Sequence, residues 1–157
     1  MSASVESLLE LLSDDDPATR IDAIKQIDSV SKNDRNQLFE KVLEDLNHEV
    51  REEAANSIEI CPSMYKKYLA DPDPRVRMAI ILNSVKIRKT ETKVLNHFKC
   101  LIDDPDPEVR CAFAKILHDH FEYKSGDQSA DDQVLKTSII PYIESLLNDQ
   151  ADIVRIT

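Results

Sequence analysis

Apolar residues recur along the chain at intervals of three and four, in blocks separated by acidic turns. Leu38, Phe39, Val42, Leu43 and Leu46 form one block. Val94, Leu95, Phe98, Leu101 and Ile102 form another, and Val109, Ala112, Phe113, Ile116 and Leu117 a third. Each is a one-sided stripe of period 3.6 with charge on the opposite side, the pattern of an amphipathic helix. The chain holds a single glycine, Gly126. Hairpin turns and phosphate-binding loops need glycine for backbone conformations that other residues avoid. Its near-absence therefore predicts an all-α protein whose helices are joined by proline and Asp/Asn turns.

The turns repeat. Arginine stands at 20, 51, 77, 110 and 155, with intervals of 26 to 45 residues. Six residues before these arginines lie Asp14, Asp45, Asp71, Asp104 and Asp149, and four before lie Asp16, Asn47, Asp73, Asp106 and Ala151. Val50, Val76, Val109 and Val154 precede four of the arginines, and Thr19 precedes Arg20. Alanines 23, 54, 79 and 112 follow. Such columns read as units of helix A, turn and helix B, at residues 1–31, 32–61, 62–88, 89–123 and 131–157, with a polar loop insertion at 124–130. One helix pair cannot hide two apolar stripes; stacked pairs can. The expected architecture is a right-handed α-solenoid of about five pairs forming one array. The last pair is expected to be incomplete, because the sequence stops two residues after Arg155. That predicts either the N-terminal piece of a longer solenoid or end-to-end self-association.

Asp16, Asp73 and Asp106 each precede a proline, and His48 takes the proline's place after Asn47. Aspartate and asparagine cap free helix N–H groups, and proline is tolerated at the first helical position. Ser2 or Ser4 is placed to cap the first helix. The arginine needs a different explanation, since the helix dipole disfavours a cation near a helix N-terminus. The aspartate six residues back is the expected partner, either in its own turn or in the next repeat. Asp14–Arg20, Asp45–Arg51, Asp71–Arg77, Asp104–Arg110 and Asp149–Arg155 would then build a ladder that holds the register between repeats.

Composition narrows the functional classes. At 41% hydrophobic and 32% charged residues the chain can bury a core. A formal net charge of −10 repels nucleic-acid phosphates and anionic lipid, and the short KIRK stretch at 86–89 is the one basic candidate against this. No stretch approaches a membrane span, and the N-terminal MSASVESLLELLSDDD lacks the basic region of a signal peptide. Cys61, Cys100 and Cys111 are an odd count without C-x-x-C spacing, which points to reduced, buried thiols in the cytosol or nucleus. His118 and His120 are two apart and leave a helix on different sides, so they do not form a metal pair. The acidic turns lack the glycine and the terminal glutamate of a calcium loop. No catalytic constellation, metal site or cofactor motif emerges.

"LIDDPDPEVRCAFAKIL" and "YLADPDPRVRMAIIL" resemble the turn and helix B of HEAT repeats, and "SIIPYIESLLNDQADIVR" resembles a helix A with its internal proline, Pro141. "LLSDDDPATRIDAIKQI" and "VLEDLNHEVREEAANSI" keep the columns more loosely. The C-terminal half looks most like the N-terminal region of regulatory scaffold subunits of type 2A and type 4 serine/threonine phosphatases. Condensin-like HEAT subunits and nuclear-transport adaptors are rival resemblances. The resemblance implies a non-catalytic scaffold whose partner is a protein, with a phosphatase catalytic subunit as one such partner. A HEAT-like nucleic-acid enzyme is the remaining alternative, and the basic face such enzymes need is disfavoured by a net charge of −10.

Two surfaces are expected to bind. One is the ridge of turns, with Asp16, Asn47, Asp73 and Asp106 beside an exposed His48, suited to a basic partner. The other is helix B of the third unit, which is apolar almost all round. There Met78 and Ile81 are expected to face outward and line a partner groove.

Overall fold

The computed structural model describes residues 4–57, 62–86, 97–124, 140–151 and 154. All regular structure among them is helical: α1 (Val5–Leu11), α2 (Pro17–Ile24), a 3-10 turn (Ile27–Ser29), α3 (Lys32–Val42), α4 (His48–Ser57), α5 (Pro62–Leu69), α6 (Pro74–Lys86), a second 3-10 segment (Lys99–Asp103), α7 (Pro107–Lys124) and a helical stretch at 140–147. Lys124, expected to open the insertion at 124–130, still belongs to α7, and residues 125–130 and Arg155 lie outside the described residues.

Local chemistry sets the helix starts. The Ser4 hydroxyl accepts from the Ser7 N–H at 3.2 Å and opens α1. Asp16 accepts from the Ala18 N–H at 3.0 Å, Asn47 from Glu49 at 2.7 Å, Asp73 from Arg75 at 2.9 Å and Asp106 from Glu108 at 2.8 Å. Pro17, Pro74 and Pro107 follow three of these caps as first helical residues, where the missing N–H has no intrahelical partner to lose.

The chain forms two compact units, Met1–Asn83 and Ser84–Thr157. In the first, α1 packs on α2 and α3, α3 packs on α4, and α2 packs along α4. Leu8, Ile24, Ile27, Leu38, Phe39, Tyr65, Tyr68 and Ile80 are fully buried there. In the second, α7 packs on the 3-10 segment, and Phe98, Leu101, Val109, Phe113, Ile116 and Leu117 are buried. The α7 stripe is the one that the period of 3.6 predicts.

The stripes fail in two places. Leu46 does not belong to a helix A face: α3 ends at Val42, and Leu46 stands in the following turn at 99% exposure. Its i+4 relation to Val42 suggested continuity, but the Asp45 turn breaks the helix first. In the 140–147 stretch, where the sequence sets Ile139, Ile140, Ile143, Leu146 and Leu147 at helical spacing as one stripe, Leu146 is buried, whereas Ile140 and Leu147 are exposed. Ile139 lies outside the described residues.

Candidate functional site: the turn ladder and the helix faces beside it

Each A–B turn is built the same way. The leading aspartate folds its carboxylate back onto its own turn, where Oδ1 accepts the N–H two residues on. The donors are Asp16 to Asp14 at 2.8 Å, Asn47 to Asp45 at 2.8 Å, Asp73 to Asp71 at 2.9 Å, Asp106 to Asp104 at 2.9 Å and Ala151 to Asp149 at 2.8 Å. This short-range bond is typical of aspartate in turns. It leaves the outer lone pairs of the carboxylate aimed away from the turn.

The arginine, one helical turn on, joins two such turns. Its Nη1 donates back to the carbonyl of its own leading aspartate: Arg20 to Asp14 at 2.7 Å, Arg51 to Asp45 at 2.7 Å, Arg77 to Asp71 at 2.7 Å and Arg110 to Asp104 at 2.6 Å. Its Nε and Nη2 reach the carboxylate of the next turn as a two-pronged clamp. Arg20 grips Asp45 at 2.7 and 2.9 Å, Arg51 grips Asp71 at 2.7 and 2.9 Å, and Arg110 grips Asp149 at 2.6 and 2.9 Å. The sequence left the choice between own turn and next repeat open; the described rungs use both, with the carbonyl from the first and the carboxylate from the second. The parallel fork is a geometry that lysine cannot reproduce.

Burial makes the clamp selective. Arg51 and Asp71, which form one clamp, are both buried. The hydrogen bonds that Arg51 donates to Asp71 raise its pKa above the ordinary value; those to Asp45 do the same for Arg20 and those to Asp149 for Arg110. A guanidinium is always charged, so the ladder carries no proton chemistry. Its action is to hold turns in register.

The expected ridge residues are mostly occupied as caps. Asp16 is exposed, while Asn47, Asp73 and Asp106 are half-buried. Asp73 also takes two bonds from the Arg75 side chain, at 3.1 and 2.9 Å. These bonds, with help from the Arg75 N–H and the nearby His48, pull its carboxyl down to about 2. His48 is not the exposed turn residue expected from its place in the proline column. It is half-buried, with Nδ1 3.9 Å from Asp73 Oδ2, and Nε2 is buried with no hydrogen-bond partner. Starting α4 in the place of a proline turns its ring toward the following turn. What protrudes instead is the position just after each leading aspartate: Asp15, Leu46, Pro72, Pro105 and Gln150 are all exposed. Two prolines in that column were the available signal.

On α6 the expected groove needs correction. Ile81 is fully buried and offers nothing to a partner. Met78 is half-buried, and the outward stripe runs through Arg75, Met78 and Leu82, the last 42% exposed. A helix that is apolar on every side gives no phase from sequence, and the pattern places its outward face one residue out.

The thiols also depart from expectation. Cys111 is half-buried, but Cys100 is exposed, not buried. Its Sγ donates to the His97 carbonyl at 3.4 Å, and desolvation pushes the thiol above its ordinary pKa. That disfavours the thiolate and so its reactivity. Cys61 lies outside the described residues. His118 is exposed. Among the described residues no three His, Cys, Asp or Glu side chains converge as a metal site, and no helix is long and apolar enough to cross a membrane. No protein-family model, curated protein or solved structure matches the chain.

Proposed function

We propose that the chain is a non-catalytic protein–protein interaction scaffold of the cytosol or nucleus, built as a right-handed α-solenoid of about five HEAT-like helix pairs. One observation carries the reading: three rungs with the same bond set, in which an arginine of one turn clamps the aspartate of the next. Investment of buried charge in register between repeats suits a protein whose product is a surface of fixed spacing. The resemblance of the C-terminal half to type 2A and type 4 phosphatase scaffolds makes a phosphatase catalytic subunit the first partner to test.

The test is affinity capture from native extract with the intact chain, read by mass spectrometry. An Arg51→Ala variant, which loosens a rung while keeping both helix stripes, serves as the comparison. The expected result is a small set of proteins enriched on the unaltered chain and depleted on the variant. Identical lists from both, or turnover of a small molecule by the pure protein, would overturn the scaffold reading.

A further inference from the structure

The helices that follow the turns each direct one stripe away from the core. On α4 the stripe is Glu49, Glu52 and Glu53, all exposed or half-buried. On α6 it is Arg75, Met78 and Leu82. The two stripes are neighbours. Arg75 feels the charges of Glu52 and Glu49, and Asn83 of α6 donates to the Ala55 carbonyl of α4 at 3.0 Å. Arg75 compensates the glutamates only in part, because its guanidinium is held by Asp73 in its own turn. Among the described residues none of the three glutamates forms a salt bridge; the ion pairs nearby are Arg51–Asp71, Lys25–Asp22 and Arg75–Asp73.

The result is a surface with two characters: three carboxylates that form no salt bridge among the described residues, with Arg75 near Glu49 and Glu52 and Lys25 near Glu53, and, beside them, a methionine and a leucine one helical turn apart. An extended basic tail would use the first and waste the second. An uncharged apolar segment would leave three carboxylates facing it without partners. We infer that this face docks a cationic amphipathic helix of a partner protein, with its apolar flank on Met78 and Leu82 and its Lys/Arg flank on Glu49, Glu52 and Glu53. Both flanks of such a helix are satisfied at once, and methionine adapts to the shape of the incoming side chains.

The inference rests on the scaffold reading, and the two fail separately. The probe is a fluorescently labelled peptide of about 18 residues, leucine and lysine at helical spacing, with a scrambled peptide of the same composition as control. Anisotropy titrations are expected to show the amphipathic peptide binding at least about tenfold more tightly than the scramble. Met78→Ser/Leu82→Ser and Glu52→Gln/Glu53→Gln are each expected to weaken it by about tenfold. The glutamine pair lies off the core, so it remains informative if the serine pair perturbs folding. Equal binding of the scramble, or unchanged binding by the glutamine pair, would overturn the inference. So would a dimer of this chain that the peptide dissociates, since the face would then belong to a second copy. A native-extract partner retained in full by both double variants would remove this face and leave the scaffold standing.

Discussion

Removing the Arg51 side chain is the sharpest single perturbation of the ladder. Arg51→Ala deletes the two-pronged grip on Asp71 and the bond to the Asp45 carbonyl. It leaves the Asp71 carboxylate, whose side chain is 4% exposed, with only the Asp73 N–H as donor. Leaving one member of a buried ion pair uncompensated costs about 3–5 kcal/mol. The turns lie near the surface, so water can reach part of the orphaned carboxylate, and the lower end, about 3 kcal/mol, applies. For a chain of this size that corresponds to a fall in Tm of roughly 6–12 °C. The comparison is Lys25→Ala, which removes an exposed pair with Asp22 whose side chains are 56% and 72% accessible; such pairs contribute little. Urea denaturation followed by circular dichroism reads both. Superimposable curves for the two variants would refute the view that the arginine column holds the fold.

Other expectations follow from the same geometry. Asp73 is held at about 2 chiefly by the Arg75 side chain, so its stabilising contribution is complete above the ordinary carboxylate value of about 3.9 and is lost as the pH falls toward 2. Arg75→Ala is expected to raise that pKa toward the ordinary value in a carboxyl NMR titration; an unchanged value would assign the depression to the capping N–H alone. Asp106→Ala removes the α7 cap, which bonds Glu108 and Val109, and is expected to cost about 1 kcal/mol. Asp106→Asn should recover most of this in thermal melts, as Asn47 performs the same task in α4. Phe113→Ala, at a site 1% exposed, is expected to cost about 3–5 kcal/mol; a smaller loss would mean that the core around α7 collapses onto the cavity.

What was legible in the sequence is what local rules decide. The caps, the proline positions and the Asp-to-Arg spacing depend on residues a few positions apart, and the structure places them as the columns imply. The α7 stripe was legible because its polar face fixes its phase. The direction of each rung was not, since Arg51 to Asp71 and Arg51 to Asp45 look equivalent along the chain and differ only once helices pack. The outward face of α6 was lost for lack of a polar side to set the phase, which is how buried Ile81 stood in for exposed Leu82. Leu46 misled because period alone does not see a turn. His48 misled because a histidine in a proline column has a reach that proline lacks.

An arginine of one turn holds the aspartate of the next even where the interval between them is longest. Arg110 and Asp149 stand 39 residues apart in sequence, across the long insertion, yet meet at 2.6 Å. A double-mutant cycle with Arg110→Ala, Asp149→Ala and the combined variant isolates the pair, because the bond from the Ala151 N–H to Asp149 cancels between the two legs of the cycle. The expected coupling is about 1.5 kcal/mol or more. Losses that add to within about 0.3 kcal/mol would contradict it.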